Sequence, residues 1–288
     1  MARLVHGVAP ASDGRRIDTL VHDLLPQLTP QAIRGVFAHR DVKLDGVRVK
    51  PDARVRAGQT VEVFYMETAP ALETLYRDAD VWVLNKRAGL SVDGDDRGLP
   101  TLTDLLRRAA AAEGLTGFEP VPCHRLDNQT CGIVVYALNP AAEEALTAAF
   151  RDRTLDKRYL CLVKGRPKPA AAECRAWLRK DARAARVTIH DSEVPGSRLI
   201  ITAYETLDAG NISRLRVHLI TGRTHQIRAH LAALGHPLLG DDVYGDRSLN
   251  RAMRCQGKLM LCAQSLTFPE DFAPAGLAGR TVEAPCPF

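Results

Sequence analysis

No apolar run in this sequence approaches the ~18 residues of a membrane span, so neither a transmembrane helix nor a membrane partner is expected. The opening stretch MARLVHGVAPASDGRR has no apolar core of the secretory kind, and a cytoplasmic chain is expected. GxGxxG and GxxxxGKS/T are both missing, so no nucleotide-binding fold is indicated. The seven cysteines are scattered, odd in number and never spaced CxxC. That pattern predicts buried free thiols in a reducing compartment, with no disulfide frame and no metal site. Nor does any internal repeat occur. What remains is ordinary for a globular chain: 288 residues, 45% hydrophobic and 25% charged. Such a composition excludes a disordered or fibrous protein, and the length fits one large domain with a small one.

Net charge is only +5, but it is unevenly held. Residues 1–66 carry ten Lys/Arg against seven acids, and residues 151–186 carry twelve against four. The rest of the chain is net acidic. Two basic segments on an acidic body point to a partner with dense negative charge, such as nucleic acid; ordinary solvated surface fits the charge count equally well.

Along the chain, residues 1–13 read as a flexible tail, 14–66 as a small domain, 67–74 as a linker and 75–288 as a larger domain. Ile17, Leu20, Val21, Leu24 and Leu25 have helical spacing. Thr29 caps and Pro30 starts a second helix running to about Ala38. Val42 and Leu44, the turn pair Asp45-Gly46, then Val47 and Val49 predict a hairpin, and GQTVEVF a closing strand. This stretch resembles the ribosomal-protein-S4-type RNA-binding module. The resemblance implies that Arg34, Arg40, Lys43, Arg48 and Lys50, on the second helix and hairpin, face RNA.

After the linker, strands outnumber helices and short turns join many of them. This predicts an α+β fold with a mixed, mostly antiparallel sheet, and argues against a Rossmann arrangement. Strands are expected at Val81–Lys86, Gly132–Leu138, Lys157–Val163, Arg186–His190, Leu199–Thr206 and Arg214–Leu219. Helices are expected from Leu102 to Ala110 and after Asn139-Pro140.

Two stretches carry the chemistry. His124-Arg125-Leu126-Asp127 is a polar loop running into an apolar strand, with a carboxylate and a guanidinium two residues apart at a sheet edge. Catalytic groups are often placed on such loops; a structural Arg–Asp pair shaping a turn is the alternative. The second stretch runs from Leu219 to Leu231. Thr221 can cap a helix whose core stripe is Ile227, Leu231 and Leu234. His225 and Arg228, three apart, share another face and can both reach a cleft; an ordinary surface helix is the alternative.

Together these stretches resemble the RluA-type pseudouridine synthases, whose members often carry an S4-type module ahead of the catalytic domain. HRLDNQTCG is similar to the family's HRLDxxTSG signature, and KRYL to its strand motif. TGRTHQIRAHLAALGHPLLGDDVYG is similar to its TGRTHQIRxH…GHP…GDxxYG block, and GKLMLCAQSLTF to a late element. Three positions depart from the pattern: Cys131 for Ser, Cys262 for His and Asp93 for His. The resemblance implies isomerisation of uridine to pseudouridine in RNA, most of all large-subunit ribosomal RNA, by a monomer without a cofactor.

It implies Asp127 as the reacting carboxylate, ionised at neutral pH from an ordinary pKa of about 3.9, attacking C1′ or removing the C2′ proton. Arg228 would pair with it. Tyr159 would stack beneath the flipped base and help remove the C5 proton. Arg125 would fill the gap the base leaves, and Lys157 would contact RNA. His124, Thr130 and His225 would support these groups. Other classes stay open: a non-catalytic ribosome-associated RNA-binding protein, an RNA-directed glycosidase, or a synthase acting on transfer RNA.

Overall fold

A computed structural model of the protein describes residues 2–26, 28, 30–65, 72–94, 100–115, 117–181 and 186–288. The Thr29 cap, Met66 at the end of the expected small domain, residues 67–71 of the expected linker and Arg183 in the basic segment lie outside them. The chain divides into two compact units, residues 1–72 with 90–120 and residues 73–89 with 121–288.

The first unit holds a four-stranded sheet in the order β1 (Ala2–Gly7), β4 (Thr60–Tyr65), β2 (Val42–Leu44), β3 (Val47–Arg48). Helices α1 (Ile17–Leu24) and α2 (Pro30–Ala38) pack on it. The apolar spacing of α1 is met in full: Ile17, Leu20, Val21 and Leu24 are all buried. Asp45 and Gly46 both take positive φ, 48° and 80°, as a tight hairpin turn of matching twist requires. The expected tail is not one. Residues 2–7 pair antiparallel with β4 along their whole length, which satisfies their backbone groups and seats Leu4 on the core. Helix α3 (Leu102–Ala112) also belongs to this unit. It opens at Thr101, which makes a reciprocal cap with Asp104.

The second unit is built on an eleven-stranded sheet. Its path runs β11 (Arg186–His190), β10 (Ala171–Asp181), β12 (Ser197–Asp208), β13 (Ile212–Leu219), β9 (Asp156–Lys164), β14 (Leu261–Thr267), β8 (Cys131–Ala137), β6 (Val81–Lys86), β5 (Thr74–Arg77). Short strands β7 (Val121–Pro122) and β15 (Thr281–Glu283) pair with β8 and β14. Thr74, expected in the linker, lies in β5. Among the described residues every strand pair is antiparallel except β14 with β8.

Every residue of β8 is buried, which explains why its apolar run shows no alternation. On β13 the alternation is clean, with Leu215, Val217 and Leu219 inward. Helix α4 (Pro140–Asp152) packs Ala142, Leu146 and Ala149 into the core behind β8, capped by Asn139. Helices α5 (Gln226–Ala233) and α6 (Arg247–Ala252) follow β13. Among the described residues no helix is long and apolar enough to cross a membrane.

Candidate active site

The site forms where three chain segments converge in the second unit. The first is the loop between β7 and β8. Asp127 sits in it, and the Thr130 amide donates to the Asp127 carbonyl at 3.0 Å, closing the turn. His124 anchors the start of the loop. Its Nε2 accepts the Val135 amide at 3.2 Å, and its ring stacks on Phe150 with centroids 4.2 Å apart. Burial, reinforced by the nearby Lys157 charge, lowers the His124 pKa to about 3, so it is a neutral, structural imidazole. Gly132 (φ 111°) lets β8 approach β14 so closely that a Cβ there would run into the Ala263 backbone. The loop leads into an interior strand, β8, so it lies at the start of that strand and not at the sheet edge expected.

The second segment leads into α5. Here Thr221 is not the cap. Its hydroxyl donates to Gln226 Oε1 at 2.9 Å and accepts the Ile201 amide, tying the loop to β12. Buried Gln226 also donates to Ile201 O and Thr202 Oγ1. The cap position falls to His225, in left-handed backbone at φ 55°. Ile227 and Leu231 are buried as expected. Leu234 is 42% exposed, because it comes after the helix ends at Ala233. His230 is buried against Thr202.

Arg228 lies at the centre. Its Nη1 donates to Asp127 Oδ2 at 2.9 Å, while Nε and Nη2 donate to Asp241 Oδ2 and Oδ1 at 2.8 and 3.0 Å. Asp241, from the third segment, has a side chain 0% exposed, and its Oδ1 also accepts the Val243 and Tyr244 amides. Burial opposes both charges. The mutual pairing outweighs it, raising the Arg228 pKa and holding the Asp241 carboxyl below the usual range. The guanidinium is therefore permanently charged and aimed. α6 fixes the Asp241 backbone: Asn250 donates to Asp241 O and accepts the Gly240 amide. Gly240 (φ 74°) is needed because the Lys258 backbone lies where a Cβ would stand.

Asp127 itself is 21% exposed at its side chain. Arg228 and His225 both face its Oδ2, at 2.9 and 3.9 Å. No hydrogen bond among the described residues engages Oδ1, which is left to meet a ligand. Tyr159, on β9 between Val217 and Ala263, is 8% exposed. Burial, then the Asp127 charge, push its phenol well above the ordinary value, so it is neutral at neutral pH.

The remaining expected groups divide. Arg125 is exposed in the same loop as Asp127. Lys157 is partly buried, its pKa lowered chiefly by that burial, and its charge is felt by His124. Arg34, Arg40, Arg48 and Lys50 are exposed in the first unit, and none of them pairs with a carboxylate among the described residues. Lys43 is half-buried, paired in register with Arg48, its Nζ over the Phe64 ring. Asp93 also belongs to this unit. Among the described residues no cluster of three or more His, Cys, Asp or Glu is arranged to hold a metal ion.

Sequence reasoning passed over Asp241, Tyr244 and Lys86. The first two stand in the GDDVYG segment, whose spacing alone carries no chemical signal. Lys86 ends β6, where an amphipathic strand end usually meets solvent. Instead it is 0% exposed, with Nζ donating to the carbonyls of Asn128 and Arg87 at 2.9 and 3.1 Å. Cys131 and Cys262 also meet, in register across β8 and β14. The Cys262 hydrogen bond, and after it Lys86, lower the Cys131 pKa against burial, while Cys262 is raised.

Burial, partly offset by Cys131 and Asp127, brings the Lys86 pKa down to about 7. Between about pH 7 and 10 the unfolded chain therefore holds a proton that the folded chain has released, and stability rises with pH at up to ~1.4 kcal/mol per unit. Urea midpoints of wild type and Lys86→Met should diverge in the wild type's favour across that window. A constant difference would mean that the ammonium is solvated.

The fold and the carboxylate–arginine clamp define a class, the pseudouridylate synthases. The solved structure titled human RNA pseudouridylate synthase domain containing 1 superposes with a TM-score of 0.63 at 29% identity, over 78% of this chain and 87% of that one. The RNA pseudouridylate synthase family model matches residues 80–233. The dual-specificity RNA pseudouridine synthase RluA of Escherichia coli K12 is 36% identical over 76% of this chain and 95% of its own. The ribosomal large subunit pseudouridine synthase C of Vibrio vulnificus is 29% identical over 88% of this chain and 85% of its own. This chain belongs to the RNA pseudouridylate synthase family, and within it resembles the RluA type.

Proposed function

We propose that this isomerase converts uridine to pseudouridine in large-subunit ribosomal RNA, with Asp127 reacting through Oδ1. The observation that carries the site assignment is the clamp: a partly exposed carboxylate held at Oδ2 by an arginine that a second, buried carboxylate fixes in place. The reaction breaks N1–C1′, turns the uracil and joins C5 to C1′; C5 gives up its proton and N1 gains one. Asp127 acts on the ribose, and the Arg228 cation offsets charge on the departing uracil. Tyr159 stacks under the flipped base, and Arg125 fills the vacated place in the RNA stack. The ribosomal target rests on the likeness to the Vibrio synthase and on the basic segment 1–66, with ten Lys/Arg against seven acids. The seven free thiols suit a reducing, cytoplasmic compartment.

RNA carrying tritium at uridine C5 tests this. Isomerisation should release tritium to water with no free uracil, and with large-subunit transcripts preferred over transfer RNA. Free uracil would indicate a glycosidase, and neither product a binding protein.

We assign residues 14–66 to an S4-type RNA-binding domain, extended by β1, and 75–288 to the catalytic domain. Exposed Arg34, Arg40, Arg48 and Lys50, with Lys43, supply cations to the RNA phosphates. Changing Arg48 and Lys50 to Ala should raise KM for long RNA several-fold, leave kcat unaltered and flatten the salt dependence by roughly one unit for each cation removed. An unaltered salt slope would remove these residues from the interface.

A further inference from the structure

His225 occupies left-handed backbone that few non-glycine residues adopt, a cost that persists only where surrounding interactions determine it. Those interactions are specific. Its Nδ1 lies 3.0 Å from the Tyr244 hydroxyl, and the two rings meet edge to face at 5.6 Å. The same hydroxyl accepts the Val187 amide of β11 at 2.8 Å. A phenol has one proton to give, and among the described residues no other acceptor meets this oxygen. With Val187 donating to it, the hydroxyl has its one proton to direct at His225 Nδ1. That direction places the ring proton on Nε2, the nitrogen 3.9 Å from Asp127 Oδ2. Burial keeps the imidazole neutral against the pull of Asp127, and burial likewise keeps Tyr244 protonated.

We propose that Tyr244 is a positioning residue for the reaction, holding His225 as the Nε2–H tautomer so that a neutral donor, alongside Arg228, secures Oδ2 of Asp127 and leaves Oδ1 for the ribose. The proposal rests on Asp127 being the reacting carboxylate. A distance of 3.9 Å is one that a bridging water spans or that substrate binding shortens. A neutral donor orients the carboxylate without adding a second full cation, which would draw down its reactivity further. Tyr244 reaches none of the reacting atoms; it acts through His225.

Nitrogen-15 NMR of histidine-labelled protein, with the His225 signal assigned from its loss in His225→Gln, tests the tautomer directly. Wild type should show neutral imidazole with the proton on Nε2. The Nδ1–H form, or an imidazolium at neutral pH, would overturn the proposal without any variant having to fold. Tyr244→Phe keeps the ring and removes only the hydroxyl. It should lose the single tautomer and lower kcat about tenfold or more, as small misplacements of reacting groups do, with KM for RNA little altered. In His225→Gln, whose side-chain amide donates without a tautomer, adding Tyr244→Phe should cost nothing more. An unchanged kcat in Tyr244→Phe, or a full additional loss in the Gln background, would sink the relay. Activity surviving in Asp127→Asn would instead overturn the reading of Asp127 itself, whatever tautomer His225 shows.

Discussion

Asp127→Asn is expected to lower uridine isomerisation by more than about a hundredfold, roughly 2.7 kcal/mol of barrier, while RNA binding persists. Asn keeps the outline of the side chain but cannot carry the negative charge that attack at C1′ or proton removal at C2′ requires. The fold should tolerate it: Asp127 is partly exposed, and its main-chain turn with Thr130 does not depend on the carboxylate. Its side-chain bond with Arg228 survives through the amide oxygen, so the arginine keeps its bonds to Asp241. Single-turnover tritium release measured beside filter binding separates chemistry from affinity. Residual activity above about 1%, equivalent to less than ~2.7 kcal/mol of added barrier, would remove Asp127 from the central role.

Arg228→Met should be damaging in two ways. Asp241 is fully buried and would lose its charged partner, and breaking a buried pair from one side costs roughly 3–5 kcal/mol. The loss has a pH signature. In wild type the Asp241 carboxyl is held below its ordinary range although burial opposes this, so its pairing stabilises the fold above about pH 4 and fades as pH falls through the lowered value. In the variant burial acts unopposed by Arg228 and the folded pKa moves up, so stability declines as pH rises past about 4. The deficit should thus widen as pH rises from about 4 to 7 and shrink below the lowered wild-type value, read from urea midpoints. A pH-independent deficit would mean that Asp241 is not the group left unpaired.

Activity should fall as well, because the guanidinium holds Asp127 at Oδ2 and, in the proposed reaction, offsets charge on the departing base. Arg228→Lys supplies one ammonium, which cannot fork to Asp127 and Asp241 at once, and should recover stability better than rate. Combining Asp127→Asn with Arg228→Met should be no worse in activity than the poorer single variant, since the two act as one unit. Multiplicative losses would show separate roles.

Much of this protein is local, and local structure is legible in sequence. The spacing of Ile17, Leu20, Val21 and Leu24, the Asp45-Gly46 turn and the alternation of β13 each depend on neighbours within a few residues. The blocks around Asp127 and Arg228 could be picked out for the same reason. At two places where a residue's partner lies far along the chain, local pattern misled. Residues 2–7 look like a tail because their hydrogen bonds are made to β4, beyond the helices and hairpin. Thr221 looks like a helix cap because Gln226 and β12, which claim its hydroxyl, are invisible to spacing.

The sequence by itself determined the helices, the strands, the apolar faces and the two polar segments that carry reactive groups. Only the tertiary structure decided that Arg228 serves two carboxylates, that Lys86 is buried, that Cys131 faces Cys262 and that Tyr244 links β11 to His225. Asp127 and Arg228 are 101 residues apart, and they meet because sheet order and register bring the start of β8 to the start of α5. Strand order and register are set by burial of whole faces against one another, a property of the assembled core that no short window of sequence contains.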